Sequence, residues 1–310
     1  MTTNQSIERA FTWSVVRMQE WYDLSWVHDP NLKIVDHVDL FCSVMRTPDL
    51  VVEVSTGCVT EIEYMTKEST ASFDVERALE WLILHELHHA DLAHFDILDA
   101  EPTLHLVKRS KSNARSIVKI PKDLGHKVSP CLELQADHDA LEMMLGDYLA
   151  GDWASVRKLA TSIAAVMVLI EKIGSGHGED SYSHPRAATR VFQLLGHVAE
   201  MWSIPAHAKA NARGEQTIRD EDLPPQVKVQ EFCSEVVLPL FWDAVALAEA
   251  AEAKSIISDL GSSEDFFSDI GRAKLGQWDE LVTVGAKEWA MLKDVNEAIL
   301  PLLSINHAVN

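Results

Sequence analysis

Hydrophobic positions recur at helical spacing along most of this chain and alternate like a strand in one short stretch. From Ser6 to His28, Phe11, Val15, Met18 and Tyr22 predict a helix, which His28-Asp29-Pro30-Asn31 breaks. Between Asp49 and Met65 the rhythm changes. Leu50 to Val54, a Ser55-Thr56-Gly57 turn, and Cys58 to Met65 with alternating Thr60, Ile62 and Tyr64 predict two strands. Thr66 to Ser72 reads as a polar linker, and Asp74 as the cap of a helix running from about Val75 to Phe95.

Residues 101–130 read as a basic, Ser-rich loop carrying a short strand at Ser116 to Ile120. Ser129-Pro130 then predicts the start of a helix over about Cys131 to Leu149. Another helix is expected over Trp153 to Ile173. A Gly/Ser/His loop leads through His184-Pro185 into a helix ending near Trp202. Ile204 to Pro225 looks like a polar surface excursion, and helices over about 226–258 and 278–303 complete the chain. No internal repeat or low-complexity tract is present.

Composition narrows the class. With 310 residues, 47% of them hydrophobic and 24% charged, the chain can bury a substantial core. Its 48 acidic and 27 basic residues leave a formal net charge of -21, which repels phosphate backbones. The best basic patch, Lys108-Arg109-Ser110-Lys111 with Arg115 and Lys119, lacks interleaved aromatics, so no nucleic-acid partner is expected. Cys42, Cys58, Cys131 and Cys233 form no C-x-x-C pair and read as small buried hydrophobes of a reducing compartment. No signal peptide is read at the N-terminus. The apolar run Leu159 to Ile170 is too short to span a bilayer, so no membrane partner and a cytoplasmic location are expected.

The chemistry lies in His85-Glu86-Leu87-His88-His89, an H-E-x-x-H pattern. Residues four apart on a helix share a face, so His85 and His89 can converge on one zinc ion. Glu86, one residue on, can reach a water on that ion and act as the catalytic base. Ala78, Leu82 and Leu92 make the rest of that stripe apolar, a fit for buried ligands. His88 and His94 are expected to point away, as solvent-facing or packing residues. A catalytic zinc needs a third protein ligand. Glu133-Leu134-Gln135-Ala136-Asp137 offers Glu133 for that place, with Asp137 holding a ligand imidazole by its other nitrogen. Small Ala136 would let the two helices approach closely, and His138 and Asp139 are the alternative ligands.

H-E-x-x-H followed by E-x-x-A-D and then Ser183-His184-Pro185-Arg186-Ala187-Ala188-Thr189-Arg190 resembles the gluzincin metallopeptidases, especially the HtpX and CAAX prenyl protease type. In size and in its single H-E-x-x-H the chain is also similar to the phage-exclusion peptidase Lit. The first resemblance covers about residues 50–202. It implies zinc on His85, His89 and Glu133, catalysis by Glu86, and Asp137 behind the ligands. It also gives His184 and Arg190 a place in the active-site wall or at the oxyanion; Tyr182 and His177, in the same loop as His184, are the runners-up as donors by position. It departs from that family in lacking transmembrane helices.

The expected architecture is α+β and mainly helical: a zincin-like core with a small antiparallel sheet and a helical C-terminal extension. Residues 1–49 form an N-terminal helical segment, 50–202 the peptidase core and 203–310 the extension. In zincin-type sites an edge strand pairs with the substrate main chain, and Cys58 to Met65 is the candidate here. The expected activity is hydrolysis of a protein or peptide substrate by Glu-assisted attack of zinc-bound water, with the long ends available to a regulatory partner. The alternative is a catalytically idle protein that keeps zinc and acts by binding.

Overall fold

The computed structural model describes residues 2–22, 29–46, 49–92, 94–95, 125–146, 152–174 and 184–307. The expected strand at Ser116 to Ile120, the basic patch, His177 and Tyr182 lie outside these residues. The chain opens with helix α1 (Thr3–Tyr22), which buries Ile7, Ala10, Ser14 and Met18. Strands β1 (Asn31–Val35), β2 (Cys42–Arg46) and β3 (Leu50–Ser55) follow. They form one sheet in the order β1-β3-β2, with β1 parallel and β2 antiparallel to β3. The expected antiparallel sheet is therefore mixed.

The segment expected as a second strand, Cys58 to Met65, is instead helix α2 (Thr56–Glu68). Its residues satisfy both periods, since Thr60, Ile62 and Tyr64 alternate while Cys58, Ile62 and Met65 fall at helical intervals of four and three. Tertiary burial decides between them. Cys58, Val59, Ile62 and Met65 are buried on one face and Tyr64 is exposed. Ser55 ends β3 and begins the helix, its hydroxyl donating to the Asp39 carbonyl at 2.7 Å and accepting from the Phe41 N–H at 3.0 Å. Gly57 donates its N–H to the His37 carbonyl at 2.8 Å. A Cβ there would run into the backbone oxygens of Val38 and Asp39. Gly57→Ala is accordingly expected to cost about 1–3 kcal/mol of stability by forced backbone displacement. Denaturant unfolding would check this, and a midpoint equal to wild type would contradict it.

Helix α3 (Val75–Asp91) is the central element. It packs against α1, the sheet edge β2, α4 (Gly125–Leu145) and α5 (Trp153–Gly174). The start expected for α4 at Ser129-Pro130 lies inside it, because the helix begins at Gly125. Pro130, in the second turn, forgoes its own N–H bond and crowds the carbonyl of His126. Helix α5 is long and apolar enough for a membrane span, yet twelve of its residues, from Val156 to Leu169, are buried within the protein. It serves here as a core helix.

Helix α6 (Ala187–Glu200) follows, then α7 (Ile204–Ala212) in the polar excursion. The expected helix over 226–258 is divided. Its parts are α8 (Gln226–Phe232), a π-helical stretch over Cys233–Val237, α9 (Leu238–Ala250) and α10 (Lys254–Leu260). The break after α9 carries Glu252 at φ 58° and the end of α10 is Gly261 at φ 73°. Helix α11 (Ser263–Lys274) escaped the sequence reading, although Ser262 caps it by accepting the Asp265 N–H at 3.1 Å. Helix α12 (Val284–His307) closes the chain. Leu292, Val295 and Ile299 of α12 pack on Val128, Cys131 and Leu132 of α4 in a small cluster of their own. The last helix thus rests directly on the helix that carries Glu133.

Candidate active site

Asp74 begins the site, because it sets where α3 starts. Its carboxylate accepts the N–H of Glu76 at 2.9 Å and of Arg77 at 3.4 Å, satisfying donors that the first turn leaves free. From that start Ala78, Leu82, His85 and His89 fall on one buried face. The two imidazoles meet with Nε2 atoms 3.2 Å apart. Glu133 of α4 completes the group, with Oε2 3.1 Å from His85 Nε2 and Oε1 3.4 Å from His89 Nε2. Ligands about 2.0–2.1 Å from a tetrahedral ion stand roughly 3.3–3.4 Å from one another, so these separations fit one zinc-sized cation. Two imidazoles and one carboxylate are also a borderline donor set of the kind zinc accepts.

Three more residues surround this centre. Asp137, one turn beyond Glu133, lies with Oδ1 2.9 Å from His85 Nδ1. Arg190 of α6 grips the same carboxylate through Nε at 2.7 Å and Nη2 at 2.6 Å. Both members of that pair are fully buried, and Arg190 lies over the Trp81 ring at 5.5 Å. With two of its nitrogens committed to Asp137, Arg190 is placed behind His85. His184, whose side chain is 44% exposed, has its Nε2 3.3 Å from Glu133 Oε2.

The region holding these elements has a known counterpart. Residues 75–203 match the family model Peptidase U49. The match supports a peptidase. It spans α3, α4 and α6, the three helices whose side chains converge, and leaves the likeness to HtpX and CAAX prenyl proteases as a resemblance. No curated protein and no solved structure matches the chain.

The electrostatics of this peptidase-like centre follow from its burial. Desolvation opposes a proton on His85, but Asp137 and Glu133 outweigh it and raise its pKa to about 10. A cation bound here would displace that proton. Burial alone would push the Glu133 carboxyl up; His184, His89 and His85 reverse this and hold it well below the usual range. Burial likewise opposes the Asp137 charge and Arg190 overcomes it. Glu86, partly buried beside the imidazoles, is the opposite case. Desolvation raises its pKa, against the pull of His85 and His89 and a hydrogen bond from the Val44 N–H.

That last bond ties Glu86 to the sheet edge. Ser55 donates its N–H to the Phe41 carbonyl at 3.0 Å, so 41/55 is a bonded pair and, by alternation, so are 43/53 and 45/51. Cys42, Val44 and Arg46 therefore turn their backbone groups to the free edge of β2, toward α3. The edge strand beside the motif helix is β2, and the substrate-pairing role expected for Cys58 to Met65 falls with that segment's helical structure.

The sequence reading missed a chain of hydrogen bonds behind His89. His94, expected to point away, is buried with its Nδ1 2.8 Å from His89 Nδ1. Its Nε2 lies 3.0 Å from Gln135 Oε1, and the Gln135 amide donates in turn to Asn296 Oδ1 of α12. His94 follows His89 by five positions, beyond the end of α3 at Asp91, so helical spacing could not reveal it. Gln135 carried a signal, lying between Glu133 and Asp137 on a helix already singled out. His88 does turn away, packing edge-on against Tyr22 at 6.2 Å, though it is buried rather than solvent-facing.

Proposed function

We propose that this chain is a zinc metallopeptidase of gluzincin type, with His85, His89 and Glu133 holding the ion and Glu86 as general base. The observation that carries the reading is the convergence of three donor side chains, from two helices, at the mutual distances of a tetrahedral site. The Peptidase U49 match supplies the reaction class, and the Lit-like character of that family agrees with the second resemblance. Zinc here would supply Lewis-acid polarisation of a peptide carbonyl and make water a stronger nucleophile.

The chain's own groups do the rest. Glu86 accepts a proton from the attacking water and delivers it to the leaving amine, its carboxylate oriented by the Val44 N–H. Burial raises its proton affinity, which suits a group that must both take and give a proton. Asp137, held by Arg190, fixes the His85 ring so that Nε2 presents its lone pair. His94 does the same for His89. His184, beside Glu133, would serve as a donor for the developing oxyanion. β2 lies beside Glu86, and the part of its edge that α3 does not cover would take the substrate main chain as an added strand.

Glu133→Ala is expected to weaken zinc binding beyond the roughly 10–100-fold that losing an outer-shell partner costs. Titration against a chelating indicator measures this; unchanged affinity would place the third ligand elsewhere. The activity itself is tested by mapping new protein termini in a cell lysate treated with the zinc-loaded chain. Termini that vanish on chelation and return with zinc are expected, and their absence sinks the proposal.

A further inference from the structure

A second group of donors lies on the outer side of the same helices. His138 and Glu142 are four apart on α4 and share a face, and His197 of α6 comes to meet them. One ligand atom from each lies within 4.8 Å of the other two. His138 Nε2 stands 3.9 Å from Glu142 Oε1, and the His138 and His197 rings meet edge-on at 5.6 Å between centroids. Asp139 Oδ1, 3.2 Å from His138 Nδ1, occupies the other ring nitrogen. A carboxylate on the far nitrogen fixes the tautomer of a ligating imidazole and aims its free lone pair.

We propose that His138, Glu142 and His197 bind a second divalent transition-metal ion, zinc-like in its preference for two imidazoles and a carboxylate, which ties α4 to α6. Separations of 3.9 Å and up to 4.8 Å need only small rotamer changes to close on an ion, and the partly exposed side chains leave room for a water. His138 follows Asp137 directly but projects about 100° around the helix, so the two clusters use different faces of α4. The ion would hold together the two helices that bring Asp137 to Arg190, stapling the scaffold from outside.

The test is metal content after equilibrium dialysis against zinc, for wild type, Glu133→Ala and the double variant His138→Ala/His197→Ala. Wild type should hold one equivalent more than the double variant, and zinc should raise its melting temperature further. His138→Gln/His197→Gln, closer in volume, guards against a folding defect. Equal zinc content in wild type and both double variants overturns the proposal. Zinc lost by the double variants but not by Glu133→Ala would uphold this site while overturning the assignment of the first centre.

Discussion

Glu86→Gln is expected to lower peptide hydrolysis by about 10²–10⁴-fold, the usual worth of a positioned general acid–base, while zinc content and fold stay as in wild type. The amide keeps the carboxylate's shape, and its oxygen can still accept the Val44 N–H that orients the side chain. What disappears is the capacity to take a proton. Stability should hold or rise slightly, because Glu86 is partly buried and desolvation disfavours its charge. The decisive comparison is the rate at equal metal occupancy, which separates loss of the base from loss of the ion. A variant with one equivalent of zinc and a wild-type rate would remove Glu86 from the chemistry.

Arg190→Met should produce the largest loss of stability, about 3–5 kcal/mol, because it removes the bidentate guanidinium from the buried Asp137 carboxylate and leaves His85 alone to compensate that charge. The packing over Trp81 goes with it. A second substitution separates stability from function. Asp137→Leu added to Arg190→Met removes that charge and should recover most of the loss, since a buried ion pair is often replaceable by apolar groups. Zinc affinity should not recover with it. His85 would have lost the acceptor on Nδ1, a change worth roughly 10–100-fold in metal binding. Urea unfolding and zinc titration on the same three proteins read both effects. Arg190→Met within about 1 kcal/mol of wild type would mean that the pair is not buried as described.

How much of this was legible depended on whether local pattern and tertiary burial agreed. At α3 they did: Asp74 caps it, the apolar stripe runs unbroken, and the two histidines fall on that stripe. Glu133 and Asp137 were visible as a pair four apart, although Pro130 misplaced the start of their helix by six residues and its end was set at Leu149 rather than Leu145. At 58–65 the residues fit both periods, and only packing against the core chose the helix. Strands β1 and β2 were too short and too mixed in polarity to stand out, so the edge that supports Glu86 was assigned to the wrong segment. His94 and Asn296 could not be read at all, because they reach the site from outside the motif helix and from near the chain's end.

The hydrogen-bonded line from His89 through His94 and Gln135 to Asn296 would give the last helix a lever on an ion held by His89. If Nε2 of His89 is committed to a cation, its other nitrogen must donate, His94 must accept and then donate onward, and each proton along the line has one allowed place. A partner that seized α12 and drew Asn296 away would unlatch that order from its far end. The grip on the ion would slacken although nothing had entered the cleft.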